Sequence, residues 1–321
     1  MNNSSTTQVQ SIDAAPRWIS ADQLTEAVTY SDAIAVLEQT LLEGFDPEQD
    51  GMRTRHAGPA GTLLQMPSAS ASWCGTKLVT LREDESPSGL PAIQGVYVLF
   101  EGKSLQPTAI IEGAGLTTLR TPAMTVLAVK HLAHADSGRV AVFGTGVQAR
   151  AHVEALRSVF QPRHVDVVGR NSERAQVLVD HISSLGISSS VKSAEVVSEA
   201  DVVLCCTASD KPLFDGNRIQ DHAVVAAIGS HDPHSREVDS ELVQRASVVV
   251  ESRDSAQREA GDLIIPHNAG EFDWDRALTI KDLILGEQVV DFTRPRLFKG
   301  TGMPWQDLAV ASTAYLRAVG S

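Results

Sequence analysis

Cysteine is scarce. Cys74, Cys205 and Cys206 are the three in the chain, and their spacing fits no thiolate metal site. Cys205-Cys206 closes an apolar run, so the pair reads as small buried hydrophobes and the chain as one of a reducing, cytoplasmic compartment. No run of about 18 apolar residues occurs, so no membrane-spanning helix is expected. Positive charge is also in deficit. A formal net charge of −13 argues against binding nucleic acid through bulk electrostatics, so each basic residue is read singly, as an anchor for a small anion. Internal repeats and low-complexity segments are missing. Residues 1–10 are polar and Ser/Thr-rich, without the apolar centre of a signal peptide, and read as a frayed or strand-forming terminus.

What is present suffices for one large or two medium domains. The 321 residues are 42% hydrophobic, ample for a sizeable core. Residues 31–42 read as a helix capped by Ser31-Asp32, with Ile34, Val36, Leu37 and Leu41 on one face. Short β-like runs follow at 62–66, 77–81, 95–100 and 108–111, separated by Gly/Pro/Ser turns, which predicts an antiparallel or mixed sheet. A helix is expected over 122–133. The pattern then alternates: strand 139–143, helix 148–160, strand 164–168, helix 172–185, then strands 201–206, 223–228 and 247–251. Alternation of this kind predicts an α/β fold, a Rossmann doubly wound parallel sheet beside a second α+β domain. The last helix, 307–319, needs a partner and is expected to pack back onto the first domain.

Gly144-Thr145-Gly146-Val147-Gln148-Ala149 follows a strand at once and opens a helix. In that context the first glycine permits a tight turn, and the second admits a pyrophosphate. The small third residue allows close helix–strand packing, and the helix N-terminus offers free N–H groups to the anion. A nicotinamide dinucleotide is the expected ligand. NAD-binding versions end the second strand with a carboxylate for the ribose. Here Gly169 is followed by Arg170, Asn171 and Ser172, a set suited to a 2′-phosphate, with Arg174 as a weaker second contact. NADP(H) is therefore favoured over NAD(H); a solvated loop arginine is the plain alternative. Strand carboxyl ends face the cofactor, so Thr207, Ala208 and Ser209, together with Thr121, Gly229, Ser230, Gly302 and Met303, complete the expected cofactor set.

Gly144 to His152 resembles the Gly-x-Gly-x-Gln-Ala-x-x-His signature of the ornithine cyclodeaminase/mu-crystallin family. Gly75-Thr76-Lys77, Leu90 to Gly95, Leu119-Arg120-Thr121-Pro122-Ala123-Met124-Thr125 (Thr125 standing for a serine) and Phe298 to Met303 with Gln306-Asp307 resemble further family segments in the same order. The resemblance implies a homodimer. It implies a substrate-binding and dimerisation domain from 1–121 and 300–321, a Rossmann domain at 122–299, and an active site between them. By position, Arg53, Lys77 and Arg120 resemble the residues that grip the substrate's α-carboxylate, with Met66 beside them; Arg55 competes with Arg53 for its role. Forked guanidinium donors suit a carboxylate in a dry cleft, although three ordinary surface cations would look alike in sequence. Lys77, flanked by apolar residues, is also a candidate proton shuttle.

In the cyclodeaminases an aspartate two residues after a glycine handles substrate protons. Counting from Gly229 that position is His231, and Asp232 comes one residue late. His231, Asp232 and Lys77 are the catalytic candidates; His234 reads as a solvated loop residue. The departure favours NAD(P)H-dependent reduction of a cyclic or linear ketimine acid, such as 1-pyrroline-2-carboxylate to proline. The alternatives are ornithine cyclodeamination with an internally recycled NAD, and a non-enzymatic binder of cofactor and ligand. A small amino or imino acid is the expected partner, and neither nucleic acid nor membrane is.

Overall fold

The computed structural model describes residues 15–82, 91 and 93–320. The polar start at 1–10, and Leu90 and Ala92 of the 90–95 segment, lie outside them. Two sheets organise the chain. The first has six strands: β1 (Arg17–Ile19), β2 (Thr54–Gly58), β3 (Gly61–Ala69), β4 (Trp73–Arg82), β5 (Ile93–Glu101) and β6 (Pro107–Glu112), in the order β1-β6-β5-β4-β3-β2. From β2 to β6 it is an antiparallel meander, and β1 joins β6 in parallel. One face alternates inward with Leu64, Met66, Lys77, Val79, Tyr97, Leu99, Ala109 and Ile111. The other face is half-buried and carries the cross-strand row Thr76, Val98, Ile110 and Trp18.

The second sheet is parallel throughout. Its strands are β7 (Arg139–Phe143), β8 (His164–Val168), β9 (Ser188–Val191), β10 (Val202–Cys205), β11 (Val224–Ala227), β12 (Ser247–Val250), β13 (Leu278–Thr279) and β14 (Arg296–Lys299). The order is β13-β12-β14-β11-β10-β7-β8-β9. It grows outward from β7 in both directions, so the topological switch point, where such sheets bind ligands, lies between β7 and β10. One apolar core joins the helical layer to the first sheet and one face of the second, through Leu37, Leu116, Leu127, Val142 and Trp305. Another fills the opposite face of the second sheet, around Phe143, Val203, Val225 and Leu242.

Local chemistry moves two expected boundaries. The helix Tyr30–Leu42 is capped by Thr29, not by Ser31-Asp32: Thr29 Oγ1 accepts from Asp32 N–H at 3.2 Å while Asp32 Oδ2 accepts from Thr29 N–H at 3.0 Å. The helix expected to start at Pro122 starts at Gly113 and runs to Leu132. Its glycines and proline look like a turn, but Glu112 caps the first turn by accepting from Ala114 N–H at 3.0 Å, and dense burial holds the proline inside the helix. The last helix, Pro304–Gly320, packs on β3, β4 and β5, against the first sheet as expected. Among the described residues no helix is long and apolar enough to cross a membrane.

Candidate active site

The ends of β7, β10, β11 and β14 line one crevice. Gly144, just after β7, has φ 111°, and a Cβ there would sit 2.5 Å from the Cys206 carbonyl oxygen, just after β10. Glycine therefore lets the two strand ends close together. Gly146 caps the helix Val147–Leu156 with no side-chain cap bond, and a Cβ added to it would meet nothing within 4 Å. Ala149 behind it is fully buried. The arrangement leaves unpaired helix N–H groups facing open space, which fits the pyrophosphate of a dinucleotide. Thr121 Oγ1 and Gln148 Oε1 are buried without hydrogen-bond partners, on the two helices joined by His152. His152 Nδ1 donates to the Gln148 carbonyl at 2.7 Å, and its Nε2 lies 3.0 Å from Thr125 Oγ1. Burial pushes His152 down to about 4, so it is a neutral strut between those helices.

At the tip of β8, Arg170, Asn171, Ser172 and Arg174 are exposed. Arg170 and Arg174 have no ion pair among the described residues. The Asn171 side chain is committed to capping the helix Ser172–Ser184, accepting from Arg174 N–H at 2.9 Å. Asp166, the nearest acid along the second strand, turns away from that tip: it is buried and takes bonds from His164 Nε2 at 2.9 Å and Ser190 Oγ at 2.7 Å.

The loops after β10 and β11 are held from beneath by acids that sequence reasoning missed. Glu237 Oε1 accepts from Thr207 N–H at 2.8 Å and Thr207 Oγ1 at 2.7 Å, and its Oε2 accepts from Gly229 N–H at 2.7 Å. Burial raises the Glu237 carboxyl above its usual range. Asp262 Oδ1 accepts from Glu237 N–H at 2.6 Å and Val238 N–H at 3.0 Å, while Lys299 Nζ pairs with its Oδ2 at 2.8 Å and donates to the Ser230 carbonyl at 2.6 Å. The charged residues Arg296 and Lys299 bracketing the apolar Leu297-Phe298 were the available signal. Thr207 thus spends its hydroxyl on the frame; Ser209 Oγ is likewise spent on the Lys211 carbonyl, and Ala208 is exposed.

On the facing side, Lys77 is 2% exposed and its Nζ lies 2.9 Å and 2.8 Å from the two carboxylate oxygens of Asp307. Arg120 Nε donates to the same carboxylate at 3.2 Å, and Arg120 Nη1 donates to Gln306 Oε1 at 3.1 Å. Arg120 Nη2 has no hydrogen-bond partner among the described residues. Gln306 Nε2 passes the chain to Glu251 Oε1 at 2.7 Å, and Glu251 Oε2 accepts from Thr301 and Gly302 N–H, both at 2.8 Å. Gly302 has φ 78°, and a Cβ there would meet Arg120 Nη1 at 2.5 Å. Arg53 reaches the same turn, donating from Nη2 to the Thr301 carbonyl at 3.0 Å and to that of Gly302, with Nη1 paired to Glu259 at 3.2 Å. Its Nε is buried and unpartnered. Arg53 and Arg120 therefore meet at the part-buried Gly302 turn, and Lys77 joins Arg120 at Asp307. Met66 faces Lys77 across β3 and β4, and Met66 and Met303 are both buried.

Burial, reinforced by the Arg120 charge and opposed by Asp307, lowers Lys77 to about 7. His231 is lowered to about 4 by burial and then by the Arg53 and Arg55 charges. Arg55 Nη2 donates to His231 Nδ1 at 3.0 Å and to its carbonyl at 3.1 Å. An arginine only donates, so Nδ1 is the accepting nitrogen and the proton of the neutral ring sits on Nε2. Asp232 is exposed and turned into its own loop, where Oδ1 accepts from His234 N–H at 2.8 Å; His234 is exposed as well.

The profile of the Ornithine cyclodeaminase/mu-crystallin family matches residues 27–321. The chain belongs to this family. Within it, a Delta(1)-pyrroline-2-carboxylate reductase of Bacillus cereus is 31% identical over 314 residues, 94% of this chain and 96% of that protein. The solved Thermococcus litoralis Delta(1)-pyrroline-2-carboxylate reductase, in complex with NADH and L-proline, superposes with a TM-score of 0.89 at 27% identity, over 95% of this chain and 98% of that one. An archaeal alanine dehydrogenase dimer with bound NAD gives a TM-score of 0.89 at 26% identity, over 95% and 96% of the two chains. As a family member the chain has the Rossmann-like parallel sheet that its strand grammar predicted, and the family holds both reductases and cyclodeaminases.

Proposed function

We propose that this chain reduces the C=N bond of a small 2-imino acid to the amino acid, with NADPH preferred to NADH. The observation that carries the reading is the juxtaposition of an open phosphate cradle at Gly144–Gly146 with the Lys77–Arg120–Arg53 cluster at Asp307 and Gly302. When bound, the reduced dinucleotide supplies hydride to the imine carbon. The protein's part is to hold the substrate carboxylate between Arg120 and Lys77, to keep bulk water from those buried side chains, and to hold a proton on Lys77 Nζ, which burial tunes to about 7. His231 is neutral at that pH, which leaves Lys77 as the better proton donor. The same fact weighs against cyclodeamination, since the position two after Gly229 carries a neutral imidazole rather than a carboxylate. Exposed Arg170 and Arg174 beside the β8 tip support the NADP preference, which the NAD-bound relatives do not share by name. Three unpaired cysteines accord with a reducing, cytoplasmic setting. A homodimer through the half-buried face of the first sheet would cover Trp18 and Leu63, which are 52% and 39% exposed.

Incubation with 1-pyrroline-2-carboxylate and NADPH should consume the reduced cofactor, followed by its near-ultraviolet absorbance. Ornithine with NAD should release no ammonia. Ammonia release without net cofactor change would assign the cyclodeaminase instead, and inactivity in both arms would leave a binding protein.

A further inference from the structure

Four cationic side chains gather at the pocket, and three of them have acidic partners. Lys77 and Arg120 share Asp307, and Arg53 pairs with Glu259. Arg55 has none among the described residues. It lies on the edge strand β2 opposite Leu64, which shares the inward face with Lys77, so strand pairing puts its guanidinium on that face; Arg53, just before the strand, reaches the same site through its bonds to Thr301 and Gly302. Arg55 is also held in place: both of its bonds, to the His231 ring and carbonyl, use Nη2. That leaves Nε–H and both Nη1 protons without partners among the described residues; they flank the occupied Nη2 and point apart, so an arriving carboxylate takes a single charge-assisted bond from Nη1 rather than a two-bond fork. His231 belongs to the loop after β11, in the cofactor crevice, so Arg55 spans from the first sheet to the second across the mouth of the site. A guanidinium fixed near another guanidinium, with no acid of its own to pair with, is stabilised by an anion that arrives with the ligand.

We infer that Arg55 and His231 form a second anion site at the mouth of the pocket, and that the substrate is a 2-imino acid whose side chain carries a second carboxylate. This deepens the proposed reduction and rests on it. The α-carboxylate is held at Arg120 and Lys77, and the side-chain carboxylate takes a bond from Arg55 Nη1, with His231 Nε2–H as a further donor. An aliphatic ring such as that of 1-pyrroline-2-carboxylate leaves Arg55 unpaired.

The test compares kcat/KM with NADPH for 1-pyrroline-2-carboxylate against the imino acids formed by ammonia with pyruvate, oxaloacetate and 2-oxoglutarate. It also measures, by calorimetry with the oxidised dinucleotide present, the affinities of L-proline, L-alanine, L-aspartate and L-glutamate. The expected result is a preference of about tenfold or more for one acidic side chain over the neutral ones in both readouts. Arg55→Met should cut kcat/KM for the acidic substrate at least about tenfold more than for 1-pyrroline-2-carboxylate. Preference for the neutral substrates, or an equal loss on all substrates in Arg55→Met, would overturn the second site while leaving the reductase reading standing. Inactivity on every imino acid with no binding of any product would overturn both. Arg55 is exposed on an edge strand, so its replacement does not open the core.

Discussion

Lys77 is the residue whose behaviour the site most depends on. Its ordinary value of 10.5 is lowered to about 7, chiefly by burial. The ammonium that holds the carboxylate is therefore lost near neutrality, and kcat/KM should fall as pH rises through about 7. Lys77→Arg fixes the charge, and its pH profile should lack that limb; an unchanged limb would assign the titration to another group. His231, lowered to about 4, stays neutral over the same interval and can contribute only an acid limb. Asp307 is fully buried and compensates both Lys77 and Arg120. Asp307→Asn strands two cations, so thermal denaturation should show a loss of about 3–5 kcal/mol; an unmoved midpoint would mean that the ions are compensated elsewhere. Arg170→Ala should weaken NADPH more than NADH in a fluorescence titration, and equal losses would remove Arg170 from the cofactor site. At this scale the sequence revealed the cations, because Arg53, Lys77 and Arg120 stand in recognisable surroundings. It hid Asp307's pairing with two of them, and the Glu237–Asp262–Lys299 frame, because those partners are separated widely along the chain and meet only through strand order.

Strands with uniform apolar runs were legible almost to the residue: β7 and β8 fall where the pattern put them. Elements whose stability comes from neighbours were not. β9 reads Ser-Ser-Ser-Val and gains its place by pairing with β8, and β14 carries Arg296, whose donors are satisfied by backbone carbonyls, and Lys299, whose charge is paired with Asp262. The helix Gly113–Leu132 was half hidden by its own Gly and Pro. The two glycines of the cradle make different demands on their element. Gly144→Ala meets both a positive φ and the Cys206 carbonyl, and should destabilise the fold by about 1–3 kcal/mol. Gly146→Ala places its methyl in open space, so stability should hold to about 0.5 kcal/mol while dinucleotide affinity falls. Parallel denaturation and cofactor titrations separate the two; a stable Gly146→Ala protein with full affinity would move the phosphate elsewhere.

For the whole molecule, the two sheets do different work. The parallel sheet supplies the crevice at its switch point, the meander brings Lys77 to it, and the helix Gly113–Leu132 adds Arg120 between them. The outer face of the meander, with Val98 between Thr76 and Ile110, is the surface proposed to join two copies. Val98→Lys should shift sedimentation from dimer to monomer, and an unshifted dimer would place the interface on another face. The most direct test of the account is a crystal structure with NADPH and an amino-acid product bound together. The diphosphate should rest on the amides that open the Val147–Leu156 helix, with the product carboxylate within hydrogen-bond reach of Arg120 and Lys77. Diphosphate density away from Gly144–Gly146, or a product whose carboxylate touches neither cation, would contradict it.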